Sequence, residues 1–277
     1  MTTECLIWFG AQAMALVLAA LAGRALGRRE RIATAALIVS AALMVAWPIL
    51  RLMPDRIMGV APVEAIVFLE LTGAAIPAAL FFACACQRLH RVPDRRAVRM
   101  MLVATAVFFI KGGLWMLRPP PPDVPSSHYA DGVCRQSTPY TCVAASLVTL
   151  LRANGIETSE GEMARQSYTE VGNGTTDTRA VLALRRKLAG RGFDVHYERM
   201  SFERLRAVEL PALVPLKWGY FVSHMVPVLA IDGDGVLLGD PLTGARRIAS
   251  AEFEREWLGR GIYVAHAPEP ERAAARR

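Results

Sequence analysis

The chain has 277 residues, 53% of them hydrophobic, and a positive mean hydropathy, a balance too apolar for a wholly water-soluble protein. Its net charge of +7 sits in one half: Lys and Arg number 13 against 6 Asp and Glu up to Arg118, whereas residues 119–277 hold 19 of each. The neutral half shows no basic stripe with interleaved aromatics, which excludes nucleic acid as a partner, and the five cysteines show no zinc-type spacing and are too few for a disulfide framework.

Four apolar runs, about Cys5–Ala22, Ile32–Leu50, Pro62–Cys86 and Met100–Leu117, are each long enough to cross a bilayer as a helix. They predict a membrane domain over residues 1–118 with four transmembrane helices and the lipid bilayer as a partner. The first run has no basic residues before it and Arg24, Arg28, Arg29 and Arg31 after it, so it is expected to stay rather than be cleaved as a signal. Those arginines, and Arg88, Arg91, Arg95, Arg96 and Arg99 between the third and fourth runs, outnumber Arg51 and Arg56 in the loop between. The positive-inside rule therefore predicts a multi-pass protein of a bacterial-type cell membrane, with everything after Arg118 on the extracytoplasmic side. Glu70 and Lys111 lie inside runs and are candidates to pair within the bundle, the alternative being that Glu64 and Lys111 sit near span ends and snorkel. Cys84 and Cys86 read as packing residues.

Residues 119–126 are a Pro-rich linker that cannot continue a helix. A folded domain over 127–266 and a charged tail over 267–277 follow. Its organising stretch is Cys134 to Gly155: a polar lead-in, Cys142, then Val143, Leu147, Leu150 and Leu151 at helical spacing, with Asn154-Gly155 as a stop. Cys142 falls in the first turn, where unpaired N–H groups and the helix dipole favour a thiolate. Alone, it reads more readily as a small core residue.

Ser159 and Glu162 form a capping box before a short helix, and a longer helix is predicted over Asp177–Leu188. Phe193, Val195 and Tyr197 alternate with polar residues as a half-buried strand, Ala212–Leu216 is a second, Val222–Ile231 and Val236–Asp240 form a hairpin, and Gly261–Ala265 ends the domain. Helices first and an antiparallel sheet afterwards predict an α+β domain with a cleft between the two layers.

A cysteine nucleophile needs a base, a group to orient it and donors for an oxyanion. Of the five histidines, His90 lies in an arginine loop, His266 in the tail, His196 on a polar strand face and His128 in the lead-in, whereas His224 opens an apolar strand. Asp240 closes the next strand at the same end. Simple pairing about the turn puts it opposite residue 227, roughly 10 Å along the strand from His224, a gap that a bulge at Pro227 or a bend at Gly239 would close. Gln136, six residues before Cys142, carries an amide able to donate to an oxyanion beside the Cys142 N–H.

Gln136, Cys142 before a helix, His224, Gly239-Asp240-Pro241 with Gly244, and Phe253 to Trp257 with Gly259 together resemble the C39 family of papain-like cysteine peptidases, over about Cys134 to Val264. The resemblance implies a papain-like fold, Cys142 as nucleophile, His224 as general base, Asp240 as its orienting acid and Gln136 in the oxyanion hole. It also implies a peptide or protein substrate with a Gly-Gly type cleavage site, no metal or other cofactor, and room for a separate exporter as partner. Two features depart from the family: Thr141-Cys142-Val143 stands where Asp-Cys-Gly is usual, and no Walker-type glycine loop for ATP occurs. The Val143 departure supports an alternative in which a degenerate domain binds peptides without cutting them. A zinc site of Cys134, Cys142 and His224 fits no familiar spacing. A disulfide between Cys134 and Cys142 would mask the nucleophile, the alternative being a partly buried Cys134 thiol.

Overall fold

The computed structural model describes residues 3–51, 53–118, 124, 128–219 and 223–267, and the chain divides into two units, Met1–Pro119 and Pro120–Arg277. Most of the expected linker and nearly all of the expected tail lie outside the described residues.

The first unit is helical: α1 (Thr3–Leu26), α2 (Glu30–Arg51), α3 (Pro54–Ile57), α4 (Val63–Leu69), α5 (Ala75–Arg88) and α6 (Val92–Leu117). Among the described residues three helices, α1, α2 and α6, are long and apolar enough to cross a membrane. The third apolar run is not one continuous helix: it is broken between α4 and α5 over residues 70–74. Polar groups inside the unit serve that break. The Gln12 amide of α1 donates to the Phe68 carbonyl at 3.0 Å, and the Thr72 hydroxyl bonds the Gln12 side-chain oxygen, standing in for ladder bonds that the interruption removes. Gly73 leaves room for an indole: a Cβ there would lie 2.5 Å from Cε2 of Trp47. Glu70 pairs with Arg51 at 3.8 Å, and Lys111 is exposed, so the expected Glu70–Lys111 pair is not the one formed.

The second unit holds β1 (His128–Ala130), β2 (Val133–Arg135), α7 (Cys142–Ala153), α8 (Glu160–Gln166), α9 (Asp177–Leu188), β3 (Phe193–Arg199), α10 (Phe202–Ala207), β4 (Ala212–Lys217), β5 (Ser223–Asp232), β6 (Gly235–Asp240), β7 (Gly244–Ile248), α11 (Ser250–Glu256) and β8 (Arg260–His266). It is the expected α+β, papain-like arrangement. β1 and β2 form a hairpin, and the other strands form one antiparallel sheet in the order β3-β8-β4-β5-β6-β7. The capping box is in place, with the Ser159 hydroxyl accepting the Glu162 N–H at 3.2 Å, and the long helix has the expected bounds. Val222, expected to begin a strand, lies outside the described residues.

β5 and β6 do not pair by simple counting. Asp232 faces Gly235 and Ile231 faces Val236, but Val228 faces Leu238, so one extra residue, Leu229, is bulged out of β5. Carried to the strand ends, the shifted register sets Asp240 opposite Val226 instead of residue 227. His224, Val226 and Asp240 then share one face of the sheet, with His224 and Asp240 as diagonal neighbours. Without the bulge the two side chains would point to opposite faces.

Candidate active site

Cys142 is the first residue of α7, half-buried, and its helix is fixed to the sheet one turn further on. The Ser146 hydroxyl, fully buried, donates to the Met225 carbonyl at 2.9 Å, while the Met225 backbone also bonds the Cys142 sulfur. Met225, the residue after His224, is thus held at its carbonyl by Ser146 and at its N–H by Cys142, two side chains four residues apart on one helix face. The sequence signal of Ser146 is a hydroxyl one turn after the cysteine, on the buried face of a largely apolar helix.

His224, 5% exposed, bonds the Cys142 sulfur through its ring, and its Nε2 bonds Oδ1 of Asp240 at 2.8 Å. With Nε2 committed to the acid, Nδ1 is the nitrogen left for the thiol. Asp240, 1% exposed, also accepts the Leu242 N–H at 2.9 Å and the Arg246 guanidinium at 3.3 Å. Arg246 lies on β7, a strand whose Gly-Ala-Arg-Arg-Ile sequence lacks an apolar alternation, so neither strand nor arginine was foreseen.

These contacts set the charges. Burial alone would raise the Cys142 thiol, but the hydrogen bond and charge of His224 and the Met225 and Val143 backbones outweigh it and lower its pKa. Burial would likewise lower His224, yet the bonds to Asp240 and Cys142 push it up to about 9. Asp240 would be raised by burial, but His224, the Leu242 N–H and Arg246 hold it down to about 2. The three side chains favour a thiolate, an imidazolium and a carboxylate in a row.

Gln136 also reaches this site. Its backbone N–H donates to the Pro241 carbonyl at 2.9 Å, which ties it to the turn after Asp240, and its side-chain nitrogen donates to the Thr138 carbonyl at 2.7 Å. The Thr138 oxygen fixes which end of the amide is nitrogen, and one of its two N–H groups remains for another acceptor. The Thr141 hydroxyl, fully buried, bonds the Thr138 N–H at 3.2 Å and holds the turn leading into the helix.

Cys142, His224 and Gln136 line one cleft of about 500 Å³, walled by Tyr140, Val143, Trp218 and the Gly172–Thr175 turn. Trp218 is 55% exposed with its ring 5.0 Å from that of His224. The opposite wall is held from behind, since buried Arg179 bonds the Tyr168 carbonyl at 3.0 Å and the Glu170 carboxylate at 2.8 Å. Val143 is buried in the cleft floor. Cys134 stands apart. It is a fully buried thiol on β2 whose N–H donates to the Thr149 hydroxyl at 3.0 Å, two turns beyond Cys142, so the buried-thiol reading holds over the disulfide.

A thiolate beside an imidazolium, in a cleft with two N–H donors, is equipped for acyl transfer. Residues 131–269 match the Peptidase C39 family, and the chain belongs to it. An uncharacterized protein of Methanothermobacter marburgensis is 31% identical over 132 residues, 48% of this chain and 87% of that one. A probable functional amyloid protease, FapD, of Pseudomonas aeruginosa is 29% identical over 135 residues, 47% of this chain, and the chain covers 58% of its length. Among solved structures, the peptidase domain of Streptococcus ComA, a bifunctional ABC transporter involved in quorum sensing, aligns at 23% identity with a TM-score of 0.44, covering 50% of this chain and 99% of that domain.

Proposed function

We propose that the protein is a membrane-anchored cysteine peptidase acting on a peptide or protein substrate from the extracytoplasmic side. The observation that carries the reading is the buried His224–Asp240 pair, bonded at 2.8 Å, with His224 and Cys142 lining the same cleft and His224 lowering the Cys142 thiol. In this mechanism the Cys142 thiolate attacks the scissile carbonyl carbon, and the resulting oxyanion takes hydrogen bonds from the Cys142 N–H and the remaining amide N–H of Gln136. The His224 imidazolium gives its proton to the departing amine as the C–N bond breaks. Neutral His224 then takes a proton from water, whose oxygen attacks the thioester, and the thiolate leaves with the acid product formed. Asp240 holds the imidazole by Nε2 throughout.

The membrane reading rests on the three apolar helices and on the nine arginines in two turns against Arg51 and Arg56 in the loop between. The C39 resemblance supports a Gly-Gly type cleavage site, and the relative named a probable functional amyloid protease supports a protein substrate; a separate exporter fits either case. The binding-only alternative draws on Val143 in the cleft floor. A thiol-reactive probe separates the two. With purified full-length protein at neutral pH, Cys142 should be alkylated at least about tenfold faster than the other four cysteines, and His224→Ala should abolish that advantage. Labelling of Cys142 no faster than the others would remove the peptidase reading.

A further inference from the structure

The first unit gathers its charge at one end. Gly27 lets α1 lie close along α5: a Cβ there would sit 2.7 Å from the Cys84 carbonyl oxygen and 2.8 Å from Cβ of Gln87. Because Gly23 meets Leu80 and Ala83 while Gly27 meets Cys84 and Gln87, the two helices run parallel and end together. α2 and α6 run the other way. The Cys84 thiol approaches the Ala33 carbonyl near the start of α2 at 3.8 Å, and Trp47 near its end meets Gly73; Gly112, near the end of α6, meets Leu71. The α1–α2 turn and the α5–α6 turn therefore meet, and Arg88 of one pairs with Glu30 of the other at 3.1 Å.

What sequence shows as two arginine-rich loops is thus one surface. Residues 24–31 and 88–99 contribute nine arginines against Glu30 and Asp94, a net of nine minus two, or +7, while the other four cations and four acids of residues 1–118 cancel. Eight of the nine arginines are exposed. Every cation on this surface is a guanidinium, whose planar fork matches two phosphate oxygens at once. Nine such charges crowded at the end of an apolar bundle repel one another and demand counter-anions. Where apolar helices leave a bilayer, the anion at hand is a headgroup phosphodiester.

We propose that these two turns form a single binding site for the headgroups of anionic phospholipids. This rests on the reading of the first unit as membrane-embedded and not on the peptidase chemistry. The test uses purified full-length protein in neutral detergent, so that membrane orientation does not enter, and measures lipid retention by native mass spectrometry. Phosphatidylglycerol and cardiolipin should be retained at least about tenfold over phosphatidylcholine. Arg28→Gln, Arg29→Gln, Arg91→Gln and Arg96→Gln combined should erase that preference, at roughly fivefold per arginine, whereas Arg56→Gln with Lys111→Gln should keep it. Equal retention of anionic and zwitterionic lipid, or an unchanged preference in the quadruple variant, overturns the proposal. Displacement of the lipid by millimolar inorganic phosphate would overturn the lipid assignment in favour of a free-phosphate site. Carbonate extraction from reconstituted vesicles distinguishes the two failures: release of the chain sinks the membrane reading itself, while a chain that stays embedded without lipid preference sinks only the headgroup site.

Discussion

Asp240→Asn should collapse the charge separation at the candidate site while keeping the two hydrogen bonds made at Oδ1, and it exchanges the Oδ2 acceptor of Arg246 for an amide NH2. The His224 imidazolium is held at about 9 against an ordinary 6.5, a preference worth about 3 kcal/mol, and Asp240 leads the groups that raise it. The asparagine keeps an oxygen for Nε2 and for the Leu242 N–H but loses the charge. The imidazolium should therefore lose its proton at least about one pH unit lower, and the thiolate, which leans on that imidazolium, should form at least about one unit higher. Because the two groups titrate together, the assay is the whole profile: the rate of alkylation of Cys142 by a neutral reagent, with thiolate absorbance, from pH 4 to 10. The wild type should show a first step below the ordinary cysteine value and a second near 9. In Asp240→Asn the steps should move toward each other. Two steps within a few tenths of the wild-type positions would show that the Asp240 charge does not hold the pair.

Ser146→Ala leaves the Met225 carbonyl without its 2.9 Å partner. It should lower kcat at least about tenfold with little change in KM and raise the pH at which Cys142 becomes reactive, and Ser146→Thr should restore both; a loss of stability alone, about 1 kcal/mol, with an unmoved pH profile would reduce Ser146 to a packing residue. Asp240 has a folded pKa of about 2, below its unfolded value, so its contribution to stability is present above about pH 4 and is lost as pH falls through 2. Melting of Asp240→Asn against wild type should therefore differ by about 2 kcal/mol at pH 5 and converge toward pH 2; a gap that stays constant with pH contradicts this. A reporter active only outside the cytoplasm should be active when fused after Arg118 and silent after Arg91, and the reverse pattern would place the second unit in the cytoplasm.

The residue types of the site were legible because their chemistry is local. A cysteine opening an amphipathic helix, a histidine opening an apolar strand and an aspartate before a proline each declare themselves within a few residues. Their contact was not legible. It depends on whether β5 carries one more residue than β6 needs, and Leu229 sits in an unbroken apolar run with nothing to mark it as the residue that bulges. The expected sites for a correction, Pro227 and Gly239, were the residues with unusual backbones, but the ladder shifted elsewhere. Ser146 and Arg246 were hidden for a related reason: each acts across a non-local contact, from α7 to Met225 and from β7 to Asp240. In the first unit hydropathy marked the four apolar runs but not the break at residues 70–74, since Gln12, whose amide serves that break, lies some sixty residues earlier.

The most direct test of the account is cleavage itself. Purified full-length protein is incubated with a proteome-derived peptide library, and newly formed termini are sequenced. The account predicts a defined set of cleavages by the wild type that vanish in both Cys142→Ala and His224→Ala and persist weakly in Asp240→Asn; the same cleavages in Cys142→Ala at the wild-type rate would contradict it.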